Sequence, residues 1–127
     1  MNFDLKNLNG LFDTTAENIA KEIFGGGKEP DTSKTQVRNF YEKLLEYHEM
    51  VFIEAKNFSD ILPLIKMLNS KVAYAKGRKK IRDKFAEFMK NGVTQINSKE
   101  DLDRFKLLFE AVLGFFVGIE GERKGKN

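Results

Sequence analysis

A chain of 127 residues with 41% hydrophobic and 32% charged side chains has the size of one domain, is too apolar to stay disordered and is too charged to live in a bilayer. It has no cysteine, which excludes disulfide frameworks and thiolate zinc sites and fits a reducing compartment, so a cytoplasmic location is expected. The net charge of +3 is unevenly spread: residues 71–84 hold seven cations against Asp83 alone, a local +6, which leaves −3 for the rest of the chain.

The first ten residues mix acidic and amide side chains with apolar ones, unlike a signal peptide. No apolar run approaches the length of a membrane span. A short helix is expected over Thr14–Ile23, followed by a flexible link in which Gly25, Gly26, Gly27 and Pro30 cannot sustain a helix. Ser33–Lys56 reads as a long amphipathic helix, because Val37, Phe40, Tyr41, Leu44, Leu45, His48, Val51 and Phe52 recur at three- and four-residue steps. Ser33 and Gln36 have the spacing of a capping box at its start.

The next helix is expected to open at Ser59 or Asp60, with Pro63 in a first turn that needs no amide donor and Ile61, Leu64, Ile65, Leu68, Val72 and Ala75 as its stripe. Gly77 either ends this helix or sits inside a bent one that continues to Lys90, since an interior glycine costs only about 1 kcal/mol relative to alanine. Ile81, Phe85, Phe88 and Met89 continue an apolar face, and Asn91-Gly92 reads as a left-handed stop. A last helix, capped by Ser98 with Asp101, should run to about Val117 and bury Leu102, Phe105, Phe109, Val112, Leu113 and Phe116.

No stretch alternates with period two, and twelve phenylalanines point to a core of packed rings. The expected fold is therefore all-α, a small bundle of about five helices forming one domain. Within it, residues 1–32 supply the N-terminal helix and glycine-rich linker, 33–118 the core and 119–127 a disordered tail. A long aromatic-rich helix beside a glycine link also leads us to expect self-association by exchange between chains.

The residues suggest no enzyme. His48, the sole histidine, lies on the apolar stripe, where a core or interface role with a satisfied nitrogen is the ordinary one. Glu46 and Glu49 lie off that stripe and do not converge on it. The carboxylates alternate with lysines on helix surfaces, and Gly25-Gly26-Gly27-Lys28 has the wrong spacing for a phosphate-binding loop. No catalytic residue, cofactor or metal is expected.

The basic run is different. Read as helix, it stacks Arg78 on Arg82 and Lys80 on Lys84, a repulsion that an anionic partner would relieve. Nucleic acid, an acidic protein surface and simple solvation all fit such a run. With no base-reading module in the sequence, nucleic acid would be held by its backbone or shape.

Two segments carry a resemblance. Lys71-Val72-Ala73-Tyr74-Ala75-Lys76-Gly77-Arg78 and the stretch from Asp101 to Phe116, with Arg104-Phe105 and Phe109-Glu110-Ala111, are preceded by Gln36-Val37-Arg38-Asn39-Phe40-Tyr41. In this order, from about Thr32 to Gly118, they resemble the small helical subunit of the type III-A CRISPR effector, the Csm complex. Leu102, Leu108, Gly114 and Val117 depart from the pattern in ways that concern packing, and the first thirty residues lie outside it.

The resemblance implies a non-catalytic ribonucleoprotein subunit of antiviral defence, present in several copies beside the backbone and large subunits and contacting guide and target RNA. The family's basic segment maps onto Lys71, Lys76, Arg78 and Arg82; Lys79, Lys80 and Lys84 join it on charge alone. Arg38 and Arg104 fit protein contacts or helix-end capping as well as they fit RNA contacts. The alternative is a helical interaction scaffold whose basic face meets an acidic protein.

Overall fold

The computed structural model describes residues 2–125, among which there are six α-helices and no strand. A π-helical turn, Leu11–Thr15, leads into α1 (Ala16–Phe24). There follow α2 (Lys34–Phe52), α3 (Phe58–Lys66), α4 (Leu68–Gly77), α5 (Asp83–Gln95) and α6 (Lys99–Lys124). Only Met67 separates α3 from α4, and its backbone stays helical (φ −64°, ψ −17°). The two form one bent rod, so the all-α bundle has the rod count expected.

The helix starts follow the local chemistry. Ser33 Oγ accepts the amide of Gln36 at 3.2 Å. Ser98 Oγ accepts that of Asp101 at 3.1 Å, and Asp101 in turn accepts the amide of Asn97 at 3.0 Å. The two serine bonds each satisfy a donor that the first turn leaves free. α3 begins slightly earlier than expected because Asn57 caps it, accepting the Ser59 amide at 3.2 Å. Pro63 is thus the sixth helical residue and lies past the first turn, so the Ser59 carbonyl lacks the amide donor a helix would supply.

The helix α6 is the centre of the bundle, about 39 Å long at 1.5 Å per residue, with α1 and α2 packed along it and α5 crossing to α4. Rings tie these elements together. Phe116 meets Phe24 of α1 at 5.2 Å between centroids, and Phe109 meets Tyr41 of α2 at 5.3 Å. Phe88 of α5 touches Phe105 and Phe109 at 5.3 and 5.2 Å. Tilted and edge-on pairs of this kind are favoured by the ring quadrupole.

Several expectations are corrected. α2 ends at Phe52, short of Lys56; Ala55 takes a left-handed φ of 55° and the chain turns there. Tyr47 is buried on its stripe, whereas Leu45 and His48 are only half-buried and Phe52 is exposed. Asn91-Gly92 does not stop α5, which runs on to Gln95. Gly92 is helical and buried, and a Cβ there would sit 2.1 Å from Cε1 and Cζ of Phe105: the glycine serves close packing and makes no turn.

The ends of the chain also differ from expectation. The helix α6 passes Val117 and continues to Lys124, so residues 119–124 are helical, and not a disordered tail; positions 126 and 127 lie outside the described residues. Glu120, nearly buried, receives Lys34 at 3.2 Å and Lys124 at 4.0 Å. Arg123 donates to the carbonyls of Gly25 and Gly27 and lies 4.7 Å from the centre of the Phe24 ring. Within the glycine link, Gly25 has φ 85°, and a Cβ there would meet the Asp31 carboxylate at 2.2 Å. Upstream, Gln95 bonds the backbone of both Phe3 and Leu5 at 2.8 Å, and Arg104 reaches the Leu5 carbonyl at 3.3 Å. The N-terminal residues are part of the bundle.

Candidate nucleic-acid interface

The basic segment does not lie along one helical face. α4 stops at Gly77, and a Schellman turn follows, in which Lys80 N donates to Ala75 O at 2.9 Å and Lys79 N to Lys76 O at 3.0 Å. The left-handed residue of that turn is Lys79, at φ 61°, where glycine would be easier by roughly 1–2 kcal/mol. The helix therefore ends at Gly77, with Lys79 and not the glycine making the left-handed turn, and Arg78, Lys79, Lys80 and Arg82 occupy a loop. Lys71 and Lys76 lie on α4, and Lys84 is in the first turn of α5. The helical stacking of Arg78 on Arg82 and Lys80 on Lys84 is absent, and the cations fan around the α4–α5 corner.

Two contacts fix the corner. Ile81 is buried in the core, and the amide of Arg82 donates to Thr32 Oγ1 at 2.9 Å. Thr32 is itself 1% exposed, so its hydroxyl is a dedicated partner for this backbone. Thr32→Val should strand the Arg82 amide and cost about 1–3 kcal/mol. Urea denaturation measures the loss, and amide exchange at Arg82 should accelerate; unchanged exchange there would show that the loop is held without Thr32.

All seven side chains are exposed. Lys76 pairs with Asp83 at 3.4 Å and Lys84 with Glu87 at 3.8 Å, both in solvent and so of little energetic weight. Lys71, Arg78, Lys79, Lys80 and Arg82 make no ion pair among the described residues. Cations near the end of α4 suit its dipole, but Arg82 and Lys84 flank the start of α5, whose first turn has no side-chain cap. A helix start with flanking cations and no side-chain cap favours an anion, and Asp83 in the first turn already supplies one negative charge there.

Packing adds residues that spacing along the chain does not reveal. Lys43 of α2 joins Lys71 in a shallow groove between α2 and α4. Lys90 of α5 faces Lys76 across a groove of about 530 Å³ that Asn69, Val72, Asp83 and Glu87 also line. Tyr74, 65% exposed on α4, carries the Arg78 guanidinium beside it. Of the two further arginines, Arg104 holds the Leu5 carbonyl, a protein contact, and Arg38 is exposed.

A family model described as Csm2 Type III-A matches residues 6–119. The chain belongs to the Csm2 family. It is thus a small subunit of the type III-A CRISPR effector, the Csm complex. The Csm2 match takes in most of the first thirty residues, which the sequence resemblance had left out. It therefore agrees with their place in the bundle. No curated protein and no solved structure matches the chain.

A few other titratable groups of this Csm2 chain tie helices together. His48 Nε2 lies 2.8 Å from Asp103 Oδ1, and its ring stacks on Phe52 with centroids 4.5 Å apart, which joins α2 to α6. The nitrogen is satisfied, as expected of a packed histidine, although Asp103 was not foreseen as its partner. Tyr41 donates to Glu110 at 2.9 Å; burial and then that bond push the phenol up to about 12. Bonds from Lys106 and Tyr41 hold the Glu110 carboxyl below its ordinary range. Burial lowers Lys66, which donates to Val93 O at 2.8 Å and caps the end of α5. No group of three or more His, Asp or Glu side chains is arranged to hold a metal among the described residues.

Proposed function

We propose that this Csm2-family chain is a non-catalytic subunit that grips the sugar-phosphate backbone of guide and target RNA through the α4–α5 corner, with its copies packing along the complex in the cytoplasm. The observation that supports this reading best is the run of Arg78, Lys79, Lys80 and Arg82, exposed and without ion pairs among the described residues, in the loop between α4 and α5, with Lys71 exposed on α4. Phosphates would neutralise these charges and release counterions whatever the base sequence. No helix among the described residues is long and apolar enough to cross a membrane.

The test is weak, sequence-independent binding of single-stranded RNA by the purified chain. If about four phosphates are neutralised, the logarithmic salt slope should be near −3, at roughly 0.7 per contact on single strands. Arg78→Glu with Arg82→Glu should nearly abolish binding and leave the far-ultraviolet circular dichroism unchanged, because both side chains are exposed and Arg82 is held through its backbone. Reversing Lys6 and Lys21, far from the corner in sequence, should do little. RNA binding that survives the double reversal would refute the assignment. An acidic protein partner that single-stranded RNA of any sequence fails to displace would favour the scaffold reading instead.

A further inference from the structure

We propose that Tyr74 is a stacking platform for one nucleobase of the bound single strand, so that the corner holds RNA by a ring face as well as by charge. The proposal rests on the RNA reading above.

Tyr74 is the most exposed aromatic side chain of the described residues, at 65%. It sits on the outer stripe of the α3–α4 rod with Leu64, Met67, Lys71 and Arg78, residues three and four positions apart. Leu64 and Met67 are exposed too, so the stripe is apolar at one end and cationic at the other. The Arg78 guanidinium lies 5.7 Å from the ring centre while its Nη1 donates to the Tyr74 hydroxyl at 3.3 Å. It therefore sits toward the hydroxyl end of the ring and leaves the rest of the face open. Gly77, one turn on, puts no side chain beside the ring, and no residue other than its chain neighbours comes within 4 Å of where a Cβ would stand.

An exposed ring with cations one turn to either side, Lys71 and Arg78, is complementary to a polyanion that carries flat apolar groups. In single-strand binding sites aromatic stacking contributes a factor of roughly 5 to 150 in affinity per base and tolerates every base. That is compatible with binding that shows no sequence preference.

The experiment compares a short oligouridylate with an abasic ribose-phosphate strand of the same length and charge, using the full chain. The parent should bind the base-bearing strand at least about fivefold more tightly. Tyr74→Ala should erase that difference with the salt slope kept, and Tyr74→Phe should preserve it. Since the chain contains no tryptophan, Tyr74→Trp supplies a single reporter, whose fluorescence should be quenched by the base-bearing strand and not by the abasic one. Equal binding of both strands by the parent, or a base preference that persists in Tyr74→Ala, overturns the stacking role while leaving backbone binding intact. Binding of neither strand overturns the RNA reading, and stacking with it.

Discussion

Phe88→Ala is expected to remove about 3–5 kcal/mol of stability, a large share of the 5–15 kcal/mol typical of a folded domain. Phe88 is fully buried in α5 and its ring lies within 6.3 Å of those of Phe3, Phe85, Phe105 and Phe109. It touches rings of the N-terminal segment, of its own helix and of α6 at once. Its removal opens a cavity that no single helix can close by shifting, because the walls belong to three elements. Urea denaturation followed by circular dichroism measures the effect. Ile53→Ala, at a site 76% exposed, should change stability by no more than about 0.5 kcal/mol. Comparable losses at the two sites would mean that the ring cluster is not the core.

Gly92→Ala should destabilise by about 1–3 kcal/mol through overpacking, even though alanine is the better helix former by about 1 kcal/mol. The new methyl would stand 2.1 Å from two atoms of the Phe105 ring, and that ring is itself wedged against Phe88 and Phe109. It cannot swing aside without displacing them. Gly114→Ala supplies the contrast, since nothing lies within 4 Å of its Cβ position and the propensity gain of about 1 kcal/mol should appear there unopposed. Combining Gly92→Ala with Phe105→Leu should recover part of the loss of the first change, the sign of coupling between touching residues. A stabilising Gly92→Ala would show that α5 and α6 do not approach this closely.

The sequence by itself determined the class of fold and much of its grammar. Apolar residues at helical spacing marked most of the inward faces, although Phe52 and Leu64 lie exposed, and Ser33 and Ser98 marked two helix starts, because a cap acts on an amide two or three residues away and needs nothing distant. The concentration of positive charge between Lys71 and Lys84 was likewise legible, since it is a property of the chain alone. What the charges look like in space was not. Gly77 signalled a possible break, but the turn is completed two residues later by Lys79 in the left-handed region, and Ile81 in the core and Thr32 from fifty residues away decide the path of the loop.

Tertiary packing also decided the meaning of the glycines and the ends. Asn91-Gly92 has the local pattern of a stop, yet the ring of Phe105 makes that glycine a packing site inside a continuing helix. Gly118 to Lys124 looks too polar and glycine-rich to hold a helix alone, but Glu120 and Arg123 bind Lys34 and the glycine loop, and Phe116 seats the same helix on Phe24. The partner that orders each of these segments is distant in sequence, about a hundred residues away for Arg123 and its loop. Local propensity carries no information about a bond formed only after the chain has folded back on itself, which is why the helix starts could be read from the sequence and these contacts could not.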